Sequence, residues 1–188
     1  MHGDIKPDNV LVFDDEFGGR TTKIIDFAYS ARWTHASDFI RIPSTKPWSA
    51  PEWHLRGHTF DGAKKMDVYS YGLLCLWLLC KSGAVTFHPS TGIGQRLFGQ
   101  QSGWALADVE EFKSNPDNVE LLDQALSSVI SENSELLSTF GVLFRETLQK
   151  DPRNRPCDLT SCMKLLMTPE EYLVLVNGSK SYTNLLRV

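Results

Sequence analysis

Residues 66–80, Met-Asp-Val-Tyr-Ser-Tyr-Gly-Leu-Leu-Cys-Leu-Trp-Leu-Leu-Cys, most constrain how this chain can fold. Apolar side chains would occupy nearly every face of a helix wound through them. Such a helix cannot lie at a surface, and the rest of the chain must surround it. Ser70 and Gly72 interrupt the run, and it is too short to span a bilayer, which takes about 20 apolar residues. Asp67 stands where an N-cap would, just before the apolar part. With 188 residues and 41% hydrophobic content, one globular domain can supply the surrounding core.

The densest chemistry lies at the other end of the chain, in His2-Gly3-Asp4-Ile5-Lys6-Pro7-Asp8-Asn9. Pro7 forbids a helix interior, so the segment reads as a stiff loop presenting several polar groups to one ligand. Asp4 can accept a proton, Lys6 can neutralise phosphate oxygens, and Asn9 can offer an oxygen to a hard cation. Val10-Leu11-Val12-Phe13 follows as a β-type run, then a turn on Asp14, Asp15, Gly18 and Gly19, then a second run over Thr21-Thr22-Lys23-Ile24-Ile25. This hairpin returns Asp26, in Asp26-Phe27-Ala28, to the side of Asn9.

The first loop resembles the H-R-D-x-K-x-x-N catalytic loop of eukaryotic-type protein kinases, and Asp26-Phe27-Ala28 resembles their D-F-G. Further matches follow in order. Thr45 and Ala50-Pro51-Glu52 resemble the end of an activation segment. Asp67 to Gly72 resembles the D-x-[WY]-S-x-G start of the central large-lobe helix. Arg155 resembles the arginine that pairs with the glutamate of A-P-E, here Glu52. The likeness runs from His2 to about Met167 and covers the large lobe only.

This resemblance implies an α+β, mainly α fold: a kinase-like large lobe (1–167) with a short N-terminal β-hairpin and a buried central helix, then a C-terminal extension (168–188). It implies transfer of the γ-phosphate of ATP, with Mg2+, to Ser/Thr hydroxyls of a protein substrate. Asp4 and Lys6 would be catalytic. Lys6, Asn9 and Asp26 would hold the nucleotide, with Asn9 and Asp26 on the metal. His2, Thr45, Glu52, Asp67 and Arg155 would serve structure and substrate positioning. Lys6 and Thr45 favour a Ser/Thr acceptor over Tyr, while Trp48 stands where the family usually has tyrosine. Two other functions compete: a pseudokinase-like binding module without turnover, and a small-molecule phosphotransferase resembling aminoglycoside and choline kinases, whose loops also begin H-G-D. Lys6, Ala50-Pro51-Glu52, Asp67 and Arg155 argue against the latter.

Two departures stand out. Gly3 replaces the arginine that reads a phosphorylated activation segment, so control through Thr34 or Ser37 is not expected. Ala28 replaces a glycine, and its Cβ narrows the backbone choices beside Asp26. The glycine-rich loop, strand lysine and partner glutamate of the small lobe have no counterpart here, which suggests a fragment of a longer kinase, inactive alone. The central helix is then expected to be partly uncovered, needing a small lobe or a partner. Exposing about 400 Å² of apolar surface would cost roughly 10 kcal/mol at about 25 cal/mol/Å².

Composition excludes other classes. The net charge of −4, with both signs interspersed, provides no basic stripe for nucleic acid. No apolar leader opens the chain and no membrane span is expected. Cys75, Cys80, Cys157 and Cys162 lack metal-type spacing and read as reduced, buried packing residues of an intracellular, cytoplasmic protein. Asn177-Gly178-Ser179 reads as a turn rather than a glycosylation acceptor. Gly92-Ile93-Gly94 is no phosphate loop, because the next glycine, Gly99, comes too late for G-x-G-x-x-G. Further helices are expected around Leu106–Phe112, from Asp117 through Ile130, from Ser134 to Leu148, from Asp158 to Leu166, and from Thr168.

Overall fold

A computed structural model describes residues 1–14, 19–32, 39–55, 57–81, 112–115, 117–120, 122–123 and 134–167. The loop expected over 82–103, Gly92 and Gly94, Thr34 and Ser37, most of the helices expected near 106–112 and 117–130, and the extension 168–188 lie outside these residues.

Lys6 is extended, as a residue before proline must be, and Pro7 opens a single 3-10 turn, Pro7–Asn9. Strand β1 (Val10–Asp14) pairs antiparallel with β2 (Arg20–Ile24) in the register Val10↔Ile24 and Val12↔Thr22. Helix α1 spans Phe60–Lys81, α2 spans Ser134–Thr147 and α3 spans Leu159–Leu166. The described residues are mainly helical, with one short two-stranded sheet.

The core forms around α1. Val68, Tyr69, Leu73 and Leu76 are buried on different faces of it, together with Leu143 and Phe144 of α2, Leu148 just beyond, and Cys162 of α3. Gly72 lets α1 and α2 meet: a Cβ there would fall on the Thr147 hydroxyl and within 2.9 Å of Leu148 Cδ2. Asp158 caps α3 by accepting from Ser161 N at 2.9 Å.

Three expectations are corrected. α1 begins at Phe60, before the apolar run, so Asp67 is not its N-cap but lies inside the helix. Thr59 takes the capping role, with Gly62 N donating to its Oγ1 at 3.2 Å. Second, the uncovering expected of α1 is confined to its far end among the described side chains, where Leu78 is half-exposed, while Val68–Leu76 is buried apart from half-buried Tyr71. The open apolar surface sits instead on the hairpin and the segment after it, at Leu11, Val12, Phe13, Ile24, Ile25 and Phe27. Third, Cys157 is exposed, because it precedes the α3 cap in a turn, while Cys75 and Cys162 are buried. No helix among the described residues is long and apolar enough to cross a membrane.

Candidate active site

Asp67, inside α1, presents its carboxylate to the N-terminal loop. Oδ2 accepts from His2 N at 2.6 Å and Oδ1 from Gly3 N at 2.8 Å. Burial pushes this carboxyl above its ordinary value, only partly offset by the Gly3 and His2 N–H groups. Gly3 sits at φ +86, and a Cβ there would meet Tyr29 O at 2.7 Å, so arginine cannot replace it without moving the Tyr29 carbonyl. His2 Nδ1 lies 3.3 Å from Asp4 N, which assigns the ring proton to Nε2, 3.1 Å from Ile25 O. The imidazole also packs 5.1 Å from the Phe27 ring, and Ser30 Oγ donates to His2 O at 2.9 Å.

The loop thereby delivers Asp4 to a fixed place. Its side chain is 1% exposed, and Oδ2 meets Lys6 Nζ at 2.8 Å. Asn9 Nδ2 donates to Asp4 O at 2.8 Å and to Asp4 Oδ2 at 2.9 Å, which turns its amide oxygen away from Asp4. Burial raises the Asp4 carboxyl, but Lys6, the Thr45 hydroxyl and Asn9 together outweigh it and hold the group below the usual carboxylate range. Thr45 stands beside this carboxyl without bonding Oδ1, which is buried and has no hydrogen-bond partner. Lys6 is raised, first by its bond to Asp4, against burial, and then by the charges of Asp4, Asp8 and Asp26.

Asp26 is thus within electrostatic reach of Lys6. Ile25 N donates to Asn9 O at 2.9 Å, which carries the end of β2 back to the loop. Asp26 adopts φ 62, a left-handed conformation that aspartate tolerates by bonding locally. Here its Oδ1 accepts from Ala28 N at 3.2 Å. Ala28 is not among the residues of positive φ, so its Cβ imposes no strain in this conformation.

The segment around Thr45 is tied down separately. Thr45 N donates to Ser49 Oγ at 2.7 Å, and Ser70 Oγ of α1 donates to Trp48 O at 2.8 Å. Glu52, in the turn Pro51–His54, takes the fork of Arg155 at 2.6 and 3.0 Å. Arg155 is buried, lies 4.6 Å over the Tyr69 ring, and spends its remaining donors on Gln149 O, Lys65 O and Lys150 O. Sequence reasoning did not find Ser49 or Ser30, and it placed Ser70 in the D-x-[WY]-S-x-G match without giving it a role. A lone serine in a loop carries no spacing signal, and only the fold reveals its partner.

The loop and hairpin therefore gather Asp4, Lys6, Asn9 and Asp26, with His2, Asp67 and Thr45 behind them, whereas Glu52 and Arg155 form a separate brace. Among the described residues no cluster of three His, Cys, Asp or Glu side chains could hold a metal by itself. Asn9 and Asp26 offer only oxygen donors, which suits Mg2+, an ion that keeps several waters and completes its shell with phosphate oxygens.

Residues 1–169 match the protein kinase domain family. A G-type lectin S-receptor-like serine/threonine-protein kinase of Arabidopsis thaliana is 31% identical over 159 residues, 83% of this chain and 17% of that protein. A probable LRR receptor-like serine/threonine-protein kinase of the same plant is 30% identical over 139 residues, 73% of this chain and 12% of that protein. A probable serine/threonine-protein kinase of Dictyostelium discoideum is 40% identical over 76 residues, 39% of this chain and 5% of that protein. The chain thus spans less than a fifth of the length of these curated relatives. No solved structure matches. The family match runs over most of the sequence, and the chain belongs to the protein kinase domain family.

Proposed function

We propose that this chain carries the acceptor side of a serine/threonine phosphotransfer site using ATP. The observation that carries the proposal is the convergence of Lys6, Asn9 and Thr45 on the Asp4 carboxyl, with Asp26 within electrostatic reach. Asp4 Oδ2 orients the acceptor hydroxyl and takes its proton as the hydroxyl oxygen bonds to the γ-phosphorus, while the bond from that phosphorus to the bridging oxygen breaks and ADP leaves. Lys6 leaves Asp4 to meet the transferring phosphoryl oxygens, and Asn9 and Asp26 would hold Mg2+. Bound there, the ion neutralises the charge on the phosphates. Little covalent chemistry is asked of the protein, so positioning and preset charge provide the rate. Lys6, Thr45 and the serine/threonine kinases among the relatives support a Ser/Thr acceptor.

One observation favours a second reading, a binding module without turnover: the Asp4 side chain is nearly sealed beneath Lys6. In either reading the exposed hairpin is where a small lobe or another partner would rest. Phosphotransfer assays with radiolabelled ATP and a mixed protein acceptor, with that lobe supplied, test the proposal. Transfer to Ser/Thr should fall about 10²–10⁴-fold in Asp4→Asn, and comparably in Asp26→Asn. Nucleotide binding without transfer would establish the module. Transfer only to an aminoglycoside or choline would overturn both readings.

A further inference from the structure

Residues 39–49 bring two cations to the edge of the Asp4 loop. Ile40 and His58 exchange backbone hydrogen bonds, Ile40 N to His58 O at 3.1 Å and His58 N to Ile40 O at 2.9 Å, which fixes the chain just before Arg41. Ile42, Pro43 and Thr45 line one small cavity with Asp4 and Ile5, so this stretch packs directly against the loop. Thr45 O then accepts from Trp48 N at 2.8 Å and from Ser49 N at 3.1 Å, closing the turn that carries Lys46. Arg41 and Lys46 therefore stand on pinned backbone at the two ends of the stretch that meets Asp4, with their Cα atoms at most about 18 Å apart.

Both side chains are exposed. The ion pairs among the described residues engage Lys6, Arg20, Lys64, Arg145, Arg153 and Arg155, and leave Arg41 and Lys46 without a carboxylate. The acids of the neighbourhood are committed. Glu52, in the turn that follows, takes the fork of Arg155. Asp4 is held by Lys6, and Asp8 and Asp26 lie close enough to Lys6 to raise it. Residues 39–49 contain no acid, in a chain whose net charge is −4. A molecule negative overall repels an acidic segment, so two unpaired cations beside the proton acceptor reverse that preference locally.

We infer that Arg41 and Lys46 select a protein substrate with acidic residues flanking its Ser/Thr acceptor, within about five positions of it. This rests on the phosphotransfer reading of Asp4. Carboxylates of the bound segment pair with the two cations while its hydroxyl reaches Asp4 Oδ2. A basic flank meets like charge at both ends and is rejected. Nucleic acid fits less well, because two cations neutralise too few phosphates to hold it at physiological salt.

The test measures transfer by the chain with a small lobe supplied, on three peptides that share one serine flanked by glutamate, alanine or lysine. The acidic peptide should have a kcat/KM roughly 3–30-fold above that of the alanine peptide, the range of two exposed ion pairs. The gain should lie in KM rather than kcat and shrink with added salt. Arg41→Glu with Lys46→Glu should turn the preference to the lysine peptide, and Arg41→Gln with Lys46→Gln should erase it. Lys150→Glu, at an exposed position beyond α2, should leave it unchanged, which separates the local cations from the net charge. Transfer that ignores the flanks, or a preference that survives the reversal, overturns the inference and leaves phosphotransfer standing. If no peptide is phosphorylated, the phosphotransfer reading falls, and fluorescence anisotropy of the same peptides, labelled, decides for the surface. Tighter binding of the acidic peptide, lost in the reversal variant, sustains recognition of acidic segments. Equal binding of all three peptides, or equal binding of a single-stranded oligonucleotide of matched charge, overturns it.

Discussion

Asp4 and Asp67 are held by the same short loop, yet their surroundings act on them in opposite directions. Asp4 is kept below the carboxylate range because Lys6, Thr45 and Asn9 outweigh its burial, whereas Asp67 is raised because burial outweighs its backbone donors. The two therefore contribute to stability with opposite slopes. A lowered carboxyl stabilises the fold above its unfolded value, near 3.8, and loses that contribution as pH falls through its folded value. A raised one contributes most below the unfolded value, and that contribution is lost as pH rises through the folded value. The penalty of Asp4→Asn should accordingly grow as pH climbs toward about 4. The penalty of Asp67→Asn should shrink as pH climbs beyond that point. Denaturation midpoints of wild type and both variants between acid and neutral pH check this, and parallel slopes would refute it. Asp4, Lys6 and Asn9 were legible in the sequence because they are neighbours in a loop stiffened by Pro7. Ser49 and the orphaned Oδ1 were not, since both depend on where another segment lies.

Between elements, the two joints that matter are a charge pair and a missing side chain. Arg155 comes from the turn before α3, and Glu52 from the turn before α1. Their side chains are 0% and 12% exposed, so removing one partner strands the other in a dry site. Arg155→Ala should cost about 3–5 kcal/mol, read from the midpoint of chemical denaturation. Arg155→Lys should recover little, because a lysine cannot reproduce the fork. The paired change Arg155→Met with Glu52→Leu should be milder than Arg155→Met alone, showing that the stranded charge sets the loss. At the other joint, Gly72→Ala forces a methyl onto Thr147 and Leu148, both fully buried. Overpacking of this kind costs about 1–3 kcal/mol. It should lower the midpoint at an unchanged m-value; an unaltered midpoint would mean that α1 and α2 can part freely. The sequence showed that α1 must be buried, because its apolar residues leave no face for water. It concealed the helix start, because Asp61, Gly62, Lys64 and Lys65 carry no apolar pattern and Asp67 offered itself as a cap before the apolar run. The Thr59 hydroxyl, three residues before Gly62, was the available signal.

At the level of the whole molecule, the fold puts its apolar surplus in a place the helix pattern could not foretell. The central helix is covered over most of its described side chains, and the hairpin is not. Val12 is 60% exposed and Phe27 is 64% exposed, with Leu11, Phe13, Ile24 and Ile25 also open. A two-stranded sheet has no further strands to cover its faces, and an isolated hairpin is marginal in water. Its outer edges also keep unpaired N–H and C=O groups that can recruit another chain. The chain by itself should therefore associate, and through the hairpin rather than through α1. Val12→Thr with Ile24→Thr keeps β-branched residues in β1 and β2 while removing exposed apolar surface. The pair should shift the protein toward monomer in light scattering without lowering its melting temperature, because neither side chain belongs to the buried core. Leu78→Ser on α1 should leave association nearly unchanged. If Leu78→Ser instead suppressed association while the hairpin pair did not, the open face of this molecule would be the central helix after all.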